Sequence, residues 1–476
     1  MMQMDNQELP KGWEIKKLGA VAISEKGKKP KKQSDTKNDI FTIPYIDIEA
    51  FEKGIIKSYT DGEKCVFCDE NDFLMVWDGA RSGLVGKGVK GAVGSTLVRI
   101  SLPNMDNHFA YYFLQSKYAE LNTRAKGSGT PHVNPDLLWN YDLPIPPLPQ
   151  QTAIVNKIES LFSEIDAGIE SLKVAQNKLA QYRQSLLKNA FNGELTKQWR
   201  EENADKLPSA EELLQQIQQA RETHYQAKVD EWKSAVQIWE ENSKEGKKPS
   251  KPVRLKDFTF VKTRLLPAEY YPQVYLMDIS DISGGLTKNS KRNTFEENVP
   301  YLRVANVYAN ELNLDDIKTI GILESEKRRT LLQKNDLLIV EGNGSIDQIG
   351  RVAIWNDEIS PCYHQNHLIK ARCYANINPY FVLYFLMSPV GRKIIVDVAS
   401  STTGLHTLSL SKVGNLIIPI CSLEEQNQIV TILEKQLTQA DHFAQEISKQ
   451  LKLAELLKQS ILKAAFSGKL LQGNHE

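Results

Sequence analysis

The chain has 476 residues with 59 basic and 59 acidic side chains, so its length predicts more than one domain and its zero net charge neither favours nor excludes a polyanionic partner. No apolar run approaches the ~20 residues of a membrane span, and the polar N-terminus lacks the apolar core of a signal peptide. Because five cysteines suit a reducing compartment better than a disulfide framework, we expect a cytoplasmic protein without a membrane segment.

The first predicted domain, residues 1–150, alternates strands and turns, which is typical of an α+β or α/β domain. Its predicted elements are strands at 43–48, 73–77 and 96–100, a helix at 107–121 and a polar loop at 126–134. Basic residues beside Gly-rich turns and polar residues of the loop could contact nucleic acid, although a solvated loop is the alternative for the lysine run. These candidate contacts are Lys28, Lys29, Arg81, Lys87, Lys90, Lys126, Ser128, Thr130 and His132.

The next predicted segment, residues 151–195, is a long helix that follows a proline-rich turn and stops at Gly193. Its large apolar residues recur at alternating steps of four and three, with a gap at Gly168 and Ala175, which predicts a coiled-coil seam. The seam residues are Ile154, Ile158, Leu161, Ile165, Leu172, Leu179, Tyr182 and Leu186.

The segment 196–257 has no counterpart later in the chain. Ser209 and Glu212 form a predicted capping box that opens a charged helix ending near Asn242, and a basic linker rich in glycine and proline follows. A surface for docking a partner and a solvated spacer both remain possible for this helix.

A second predicted domain, residues 258–423, repeats the plan of the first more loosely. The strand at 336–340 corresponds to the strand at 73–77, and the loop at 400–406 takes the place of the loop at 126–132. The frames match while the loop contents differ, as expected of two readers of different targets. Polar residues of types that read base edges are Asn343, Ser345, Arg351, Gln365, Asn366, Thr402, Thr403 and His406.

The last predicted element, residues 424–476, repeats the first long helix at a constant offset of 275 residues. Seven of eleven residues are identical between 185–195 and 460–470. The second seam is formed by Ile429, Leu433, Phe443, Ile447, Leu457 and Ile461, and glutamines at two further seam positions would loosen it. Each helix has one apolar seam, so we expect the two to pack against each other in antiparallel orientation.

Motifs for catalysis and for cofactors are weak. Cys65 and Cys68 form a lone pair without nearby metal-ligand companions, and Asn378-Pro379 opens only an incomplete version of the motif with which amino-methyltransferases hold a flipped base. No phosphate-binding Gly-rich loop is present in the sequence. We therefore predict a non-catalytic chain with no cofactor and no metal site.

Three stretches give the chain a family resemblance: residues 13–19, the proline-rich entry at 143–151, and 190–195 with its copy at 465–470. Together with the order of domain, helix, domain, helix, they resemble the specificity subunit of type I restriction–modification systems. The resemblance implies an α+β fold with two α/β target-recognition domains, separated by two long antiparallel coiled-coil helices with a pseudo-two-fold internal repeat.

The same resemblance implies a function and a set of partners. Each target-recognition domain would read one half of a bipartite site in double-stranded DNA, and the helices would set the unspecified gap. Two modification subunits, which use S-adenosylmethionine, and restriction subunits, which use ATP, would dock on this scaffold. The alternatives are a self-contained DNA methyltransferase or nuclease with its own target-recognition domains, and a purely structural coiled-coil adaptor.

Overall fold

The computed structural model describes residues 9–127, 129–241, 248–254, 256–261, 271–402 and 405–472. The chain divides into two compact units. Unit 1 comprises the residues up to Ala175 and those from Gln445 onward, and unit 2 is the continuous stretch Gln176–Ala444. Each unit therefore contains one domain and part of both long helices.

The first domain, in unit 1, is built on a central antiparallel sheet with the strand order β2-β10-β7-β8. A second sheet has the order β3-β5-β4-β9-β6, and β1 pairs with β11. The strands are β1 (Glu14–Lys17), β2 (Ile23–Lys26), β3 (Gln33–Ser34), β4 (Ile43–Ile46), β5 (Tyr59–Thr60), β6 (Phe67–Cys68), β7 (Phe73–Val76), β8 (Val85–Lys87), β9 (Gly91–Val93), β10 (Leu97–Ser101) and β11 (Asp142–Ile145). The helices are α1 (Leu18–Val21), α2 (Ile48–Lys53), α3 (Asn107–Thr123) and α4 (Pro135–Trp139).

Strand β7 is apolar throughout because both of its faces are covered. Successive side chains of a strand point to opposite faces. Phe73 and Met75 pack with α3 and the long helices, whereas Leu74 and Val76 pack against the core of the second sheet. The predicted strands and the predicted helix of this domain are confirmed to within two residues at most bounds.

Two long helices, α5 (Leu148–Phe191) and α13 (Leu423–Phe466), have 44 residues each and bounds that differ by the predicted 275 residues. At ~1.5 Å per residue each is roughly 66 Å long. Beyond their C-termini, Gly193 and Gly468 adopt left-handed φ angles of 82° and 75°, so the predicted glycine stops are confirmed. Helix α5 begins three residues earlier than predicted because Pro149 is tolerated in a first helical turn, and α13 begins one residue earlier.

Ser422 and Glu425 have the spacing of a capping box at the start of α13, and only half of that box forms. The Glu425 N–H donates to Ser422 Oγ over 3.2 Å. The Glu425 carboxylate instead accepts hydrogen bonds from Arg200, Thr196 and Tyr271. The local pattern describes the backbone hydrogen bond correctly, but the Glu425 side chain pairs with Arg200, which is distant in the sequence.

The two long helices run antiparallel in each unit. In unit 1, Lys458 pairs with Asp166, and its Nζ lies 5.2 Å from the centroid of the Phe162 ring. In unit 2, Arg183 Nη2 lies 2.6 Å from Asp441 Oδ1, and the Tyr182 hydroxyl donates to Gln436 Oε1 over 2.9 Å. The start of α5 (154–162) shares a core with the end of α13 (461–466) in unit 1, and the end of α5 (186–191) shares a core with the start of α13 (429–433) in unit 2, so the helices run antiparallel, as predicted.

The predicted seam residues are buried near the domains and become partly or largely exposed along the helices between them. Ile154, Ile158, Leu186, Ile429, Leu433 and Ile461 are buried, while Leu161, Ile165, Leu172, Leu179 and Ile447 are partly buried. Exposed fractions of 45% for Tyr182, 65% for Phe443 and 51% for Leu457 contradict their assignment to a buried seam. A straight helix turns every 3.6 residues, so a strict 3.5-residue stripe drifts by ~20° per heptad away from the contact line.

The segment after α5 forms α6 (Lys197–Glu202) and α7 (Ala210–Glu241). The predicted capping box is confirmed, with Glu212 N 3.3 Å from Ser209 Oγ and Ser209 N 2.7 Å from Glu212 Oε2. Helix α7 packs on the second domain, where Lys228 pairs with Asp281 over 2.7 Å. The described part of the linker folds back along α7, and Pro249 O accepts from Trp232 Nε1. The helix is therefore not a free spacer.

The second domain, in unit 2, repeats the central antiparallel sheet in the order β13-β22-β18-β20. A further sheet has the order β17-β14-β21, and β12 pairs with β25. The strands are β12 (Gln273–Tyr275), β13 (Ser280–Gly284), β14 (Asn298–Leu302), β15 (Val307–Tyr308), β16 (Glu311–Leu312), β17 (Lys318–Gly321), β18 (Asp336–Val340), β19 (Gly342–Asn343), β20 (Val352–Trp355), β21 (Tyr363–His364), β22 (Leu368–Cys373), β23 (Ser400–Thr402), β24 (Leu405–Thr407) and β25 (Ile417–Pro419). The helices are α8 (Leu276–Ile279), α9 (Glu324–Thr330), α10 (Pro379–Met387), α11 (Pro389–Val398) and α12 (Leu410–Gly414).

Candidate nucleic-acid interface

One edge of the central sheet collects the predicted contact loops of the first domain. Because the strands are antiparallel, the end of β2, the start of β10, the end of β7 and the start of β8 share this edge. Lys126 and His132 exchange backbone hydrogen bonds of 2.9 and 2.7 Å, so the predicted polar loop closes into a hairpin. That hairpin joins the turn after β7 through a bridge between His132 and Asp78. We call this edge the first recognition edge.

The second domain builds the same edge from different residues. Strand β18 ends at Val340, and β19, which follows it, pairs with the hairpin of β23 and β24. Asn343 and His406 are direct cross-strand partners there. This edge, which also includes the turn before β22, is the second recognition edge.

The two edges agree at the level of single backbone hydrogen bonds. Val133 N donates to Trp77 O over 2.9 Å, and Leu408 N donates to Glu341 O over 2.7 Å. Offsets of 275 and 264 residues relate these two pairs. The same backbone bond therefore joins the hairpin to the turn after the central strand in both domains, although few of the side chains there are alike.

Several predicted cations lie at the first recognition edge. Lys28 and Lys29 are exposed just after β2 and make no ion pair with any residue that the structure describes. Arg81 pairs with Glu52, and Lys126 Nζ lies 2.8 Å from Asp136 Oδ2. About half of each of these two basic side chains is exposed, and such surface pairs are weak, so neither pair holds its basic side chain firmly.

Lys87 and Lys90 do not belong to this group. Gly88, between them, donates to Asp72 O over 2.9 Å, which places this turn beside the start of β7 at the opposite edge of the sheet. Lys87 Nζ lies 2.8 Å from Glu159 Oε1 on α5. The structure therefore contradicts the grouping of these two lysines with the loop residues, because strand direction decides which turns meet.

The two hairpins hold the remaining loop candidates. Thr130 is exposed and His132 is partly buried. Thr402 lies in β23. Ser128 and Thr403 lie outside the described residues.

The other second-domain candidates meet at the second recognition edge. Ser345 is exposed in the turn after β19, and its N–H donates to Asn343 Oδ1 over 2.9 Å. Arg351 stacks on the Tyr308 ring at 5.1 Å. Gln365 and Asn366 lie in the turn before β22, where their backbone N–H groups donate to Leu302 and Leu286.

Sequence reasoning missed two carboxylate pairs at these edges. Lys26 Nζ lies 2.8 Å from Asp78 Oδ2 in the first domain. In the second, His367 Nδ1 lies 2.8 Å from Glu341 Oε2. The sequence signal for His367 was its place directly after two candidate residues, Gln365 and Asn366.

The weak catalytic motifs have structural explanations. Asn378 caps α10, and its Oδ1 accepts from Tyr380 N over 2.9 Å. Burial raises the pKa of the Cys68 thiol to about 11. Within the described ranges, no group of three or more His, Cys, Asp or Glu side chains could hold a metal ion. None of the helices described is long and apolar enough to cross a membrane.

Relatives with known roles match most of the chain. The sequence profile of the type I restriction modification DNA specificity domain matches residues 10–173 and 271–453. The MjaVIII specificity subunit of Methanocaldococcus jannaschii is 29% identical over 41% of this chain, and that match spans only 49% of the relative. For the EcoKI and EcoBI specificity subunits of Escherichia coli, identities are 24% and 23%, over 76% and 92% of this chain and 65% and 82% of theirs.

Two solved structures share the fold. A chain from a study of complex assembly and conformational transition of the type I R-M system has a TM-score of 0.58 at 18% identity, covering 97% of this chain and all of that one. The HsdS subunit from Thermoanaerobacter tengcongensis has a TM-score of 0.50 at 17% identity, covering 98% and 99%. With both domains and parts of both helices matched by the family profile, this chain belongs to the type I restriction–modification DNA specificity family.

Proposed function

We propose that this chain is the non-catalytic, sequence-specific DNA-binding subunit of a type I restriction–modification complex, and that each domain reads one half of a bipartite site in double-stranded DNA. The observation that carries the proposal is the pair of recognition edges, which share their backbone bonds and differ in their side chains. A common scaffold with divergent polar loops is what recognition of two unlike half-sites requires.

The long helices then serve two further purposes in this proposal. They set the unspecified gap between the half-sites, and they dock two modification subunits, to which restriction subunits are added. Several large apolar side chains on these helices are exposed to solvent. They support docking, since exposed apolar surface marks interaction sites. Exposed fractions are 44% for Val174, 65% for Phe443, 45% for Leu453, 64% for Leu456 and 51% for Leu457.

The proposal is tested by sequence-resolved binding of the assembled methyltransferase, this chain with its modification subunits, to a randomised DNA duplex. We expect two specified blocks separated by a gap of constant length. A single block, or no sequence preference at all, contradicts the proposal. S-adenosylmethionine binding by the purified chain alone would favour a self-contained methyltransferase instead.

The role of the helices is tested by lengthening both. Seven residues inserted after Ala175 and seven inserted before Gln445 keep the contact face of each helix and add roughly 10.5 Å. We expect the gap to grow by about three base pairs at ~3.4 Å each, with both half-sites unchanged. An altered half-site with a constant gap contradicts the role of the helices as the spacer.

A further inference from the structure

His367 and Glu341 form an ordered pair at the second recognition edge. Glu341 follows β18 and His367 precedes β22, and Glu341 N donates to His367 O over 3.0 Å. Their side chains meet as well, with His367 Nδ1 2.8 Å from Glu341 Oε2. A carboxylate oxygen only accepts hydrogen bonds, so in the neutral imidazole Nδ1 carries the proton and Nε2 is the acceptor. That acceptor makes no hydrogen bond to the residues that the structure describes.

The pair is not required by the fold. The His367 side chain is 56% exposed, and a contact between side chains at this exposure contributes little to stability. In the first domain the equivalent backbone bond joins Trp77 N to Thr96 O over 2.8 Å, so the frame closes there without a histidine or a carboxylate. The chemistry at this position is therefore free to differ between the two domains.

The surroundings of His367 are those of a reading surface. Gln365 and Asn366 immediately precede it in the same turn, and Asn343 follows Glu341 by two residues. Each presents a polar side chain at the edge that also holds His406. Within this group His367 has a fixed tautomer, which an unsupported imidazole would not have.

We propose that His367 is a base-reading residue of the second domain, with Glu341 as its positioning residue. Nε2 accepts a hydrogen bond from an exocyclic amino group in the major groove, N6 of adenine or N4 of cytosine. Glu341 holds the imidazole in the tautomer that accepts at Nε2. This inference rests on the proposed function, since it needs the second domain to read a half-site.

The test uses the assembled methyltransferase and sequence-resolved binding. For His367→Ala we expect the preference at one base pair of the second half-site to fall roughly 5- to 150-fold, with the first half-site unchanged. The base that loses its preference distinguishes adenine from cytosine. Glu341→Ala should weaken the same preference, and Glu341→Gln should restore much of it because the amide oxygen still accepts from Nδ1–H. Lys233→Ala, which breaks an exposed pair with Asp230 on α7, is the matched control.

A second measurement changes the DNA instead of the protein and compares the unaltered complex with the His367→Ala complex. Replacing the target base by its analogue without the amino group should weaken binding of the unaltered complex by a similar factor, and should not weaken the His367→Ala complex further. If the unaltered complex reads a bipartite site that His367→Ala leaves unchanged, this inference is wrong and the proposed function stands. If the unaltered complex shows no sequence preference, the proposed function itself fails. Equal disturbance of both half-sites by His367→Ala also overturns the assignment.

Discussion

The two recognition edges have the same backbone bonds and different chemistry. In the first domain Lys28 N donates to Val93 O over 3.2 Å, and in the second Leu286 N donates to His364 O over 2.7 Å. The lysine thus stands where the second domain has a buried leucine, and Lys29 stands where it has Thr287. Under the proposed function, the lysines of the first edge would contact phosphates and the polar side chains of the second edge would contact base edges. The two domains would then contribute unequally to affinity and to sequence reading.

The two units also differ in the hydrogen bonds that hold the first turn of each long helix. In unit 1, Trp13 Nε1 donates to Gln150 Oε1 over 3.0 Å at the surface. In unit 2 the equivalent residues are Tyr271 and Glu425, whose bond is 2.7 Å long and buried, and Arg200 Nη1 also donates to Glu425 over 2.6 Å. Unit 2 therefore anchors its helix through a buried charge, whereas unit 1 uses a neutral surface bond.

The largest expected effect comes from breaking that anchor. Glu425→Ala leaves Arg200, Tyr271 and Thr196 without their shared acceptor, and removing one partner of a buried ion pair costs ~3–5 kcal/mol of unfolding free energy. Gln150→Ala breaks one exposed bond and should cost ~0.5–1.5 kcal/mol. Urea unfolding of both variants measures the difference. Equal losses would show that the two anchors are energetically alike.

The next largest effect is a difference between the two domains in how their stability depends on pH. Burial, and then the nearby charge of Lys370, lower the pKa of His364 to about 3, whereas the first domain has Val93 at this position. Below pH ~6.5, His364 binds a proton in the unfolded chain but stays neutral in the folded chain. The free energy of unfolding therefore falls as the pH falls from ~6.5 toward 3, by up to ~1.4 kcal/mol per pH unit. His364→Gln should remove this slope from the unfolding free energy. Parallel pH profiles for variant and parent would contradict the assignment.

Substitutions in the two hairpins sharpen the comparison at the level of DNA. His132→Ala and His406→Ala should each relax one position of their own half-site by ~1–3 kcal/mol, because a lost base contact is local. Sequence-resolved binding of the assembled methyltransferase reports both halves at once. A variant of one hairpin that disturbs both half-sites equally would mean that the domains do not read independently.

The smallest expected effect concerns salt. Lys28→Ala and Lys29→Ala should weaken binding to every sequence and reduce the slope of log affinity against log salt by ~0.9 each, as expected for lost phosphate contacts. Thr287→Lys in the second domain should raise that slope by a similar amount. Lys87→Ala, at the other edge of the sheet and paired with Glu159, is the control that should leave the slope unchanged.

Sequence reasoning succeeded where the signal was local or repeated. The 275-residue repeat gave both long helices, and the loops beginning at Lys126 and Ser400 do form equivalent hairpins. It failed where distant chain segments decide the outcome. Nothing near Lys87 indicates that its turn folds to the edge beside α5, and the capping pattern at Ser422 gives no sign of Arg200. The exposed Phe443 shows that periodicity predicts an apolar stripe but not how far a partner covers it.

The division of the chain into units has a consequence for how the protein is made. Unit 2 is one continuous stretch, whereas unit 1 is completed by residues from Gln445 onward. There the Phe466 ring packs edge-on against Phe109 and Phe113, with ring centroids 5.2 and 5.4 Å apart. At ~5–20 residues per second, the ribosome needs roughly 13–54 s to make the chain between Ala175 and Gln445. The domain that is synthesised first is thus the last to close its core, and it must keep those two phenylalanines from aggregating while the rest of the chain emerges.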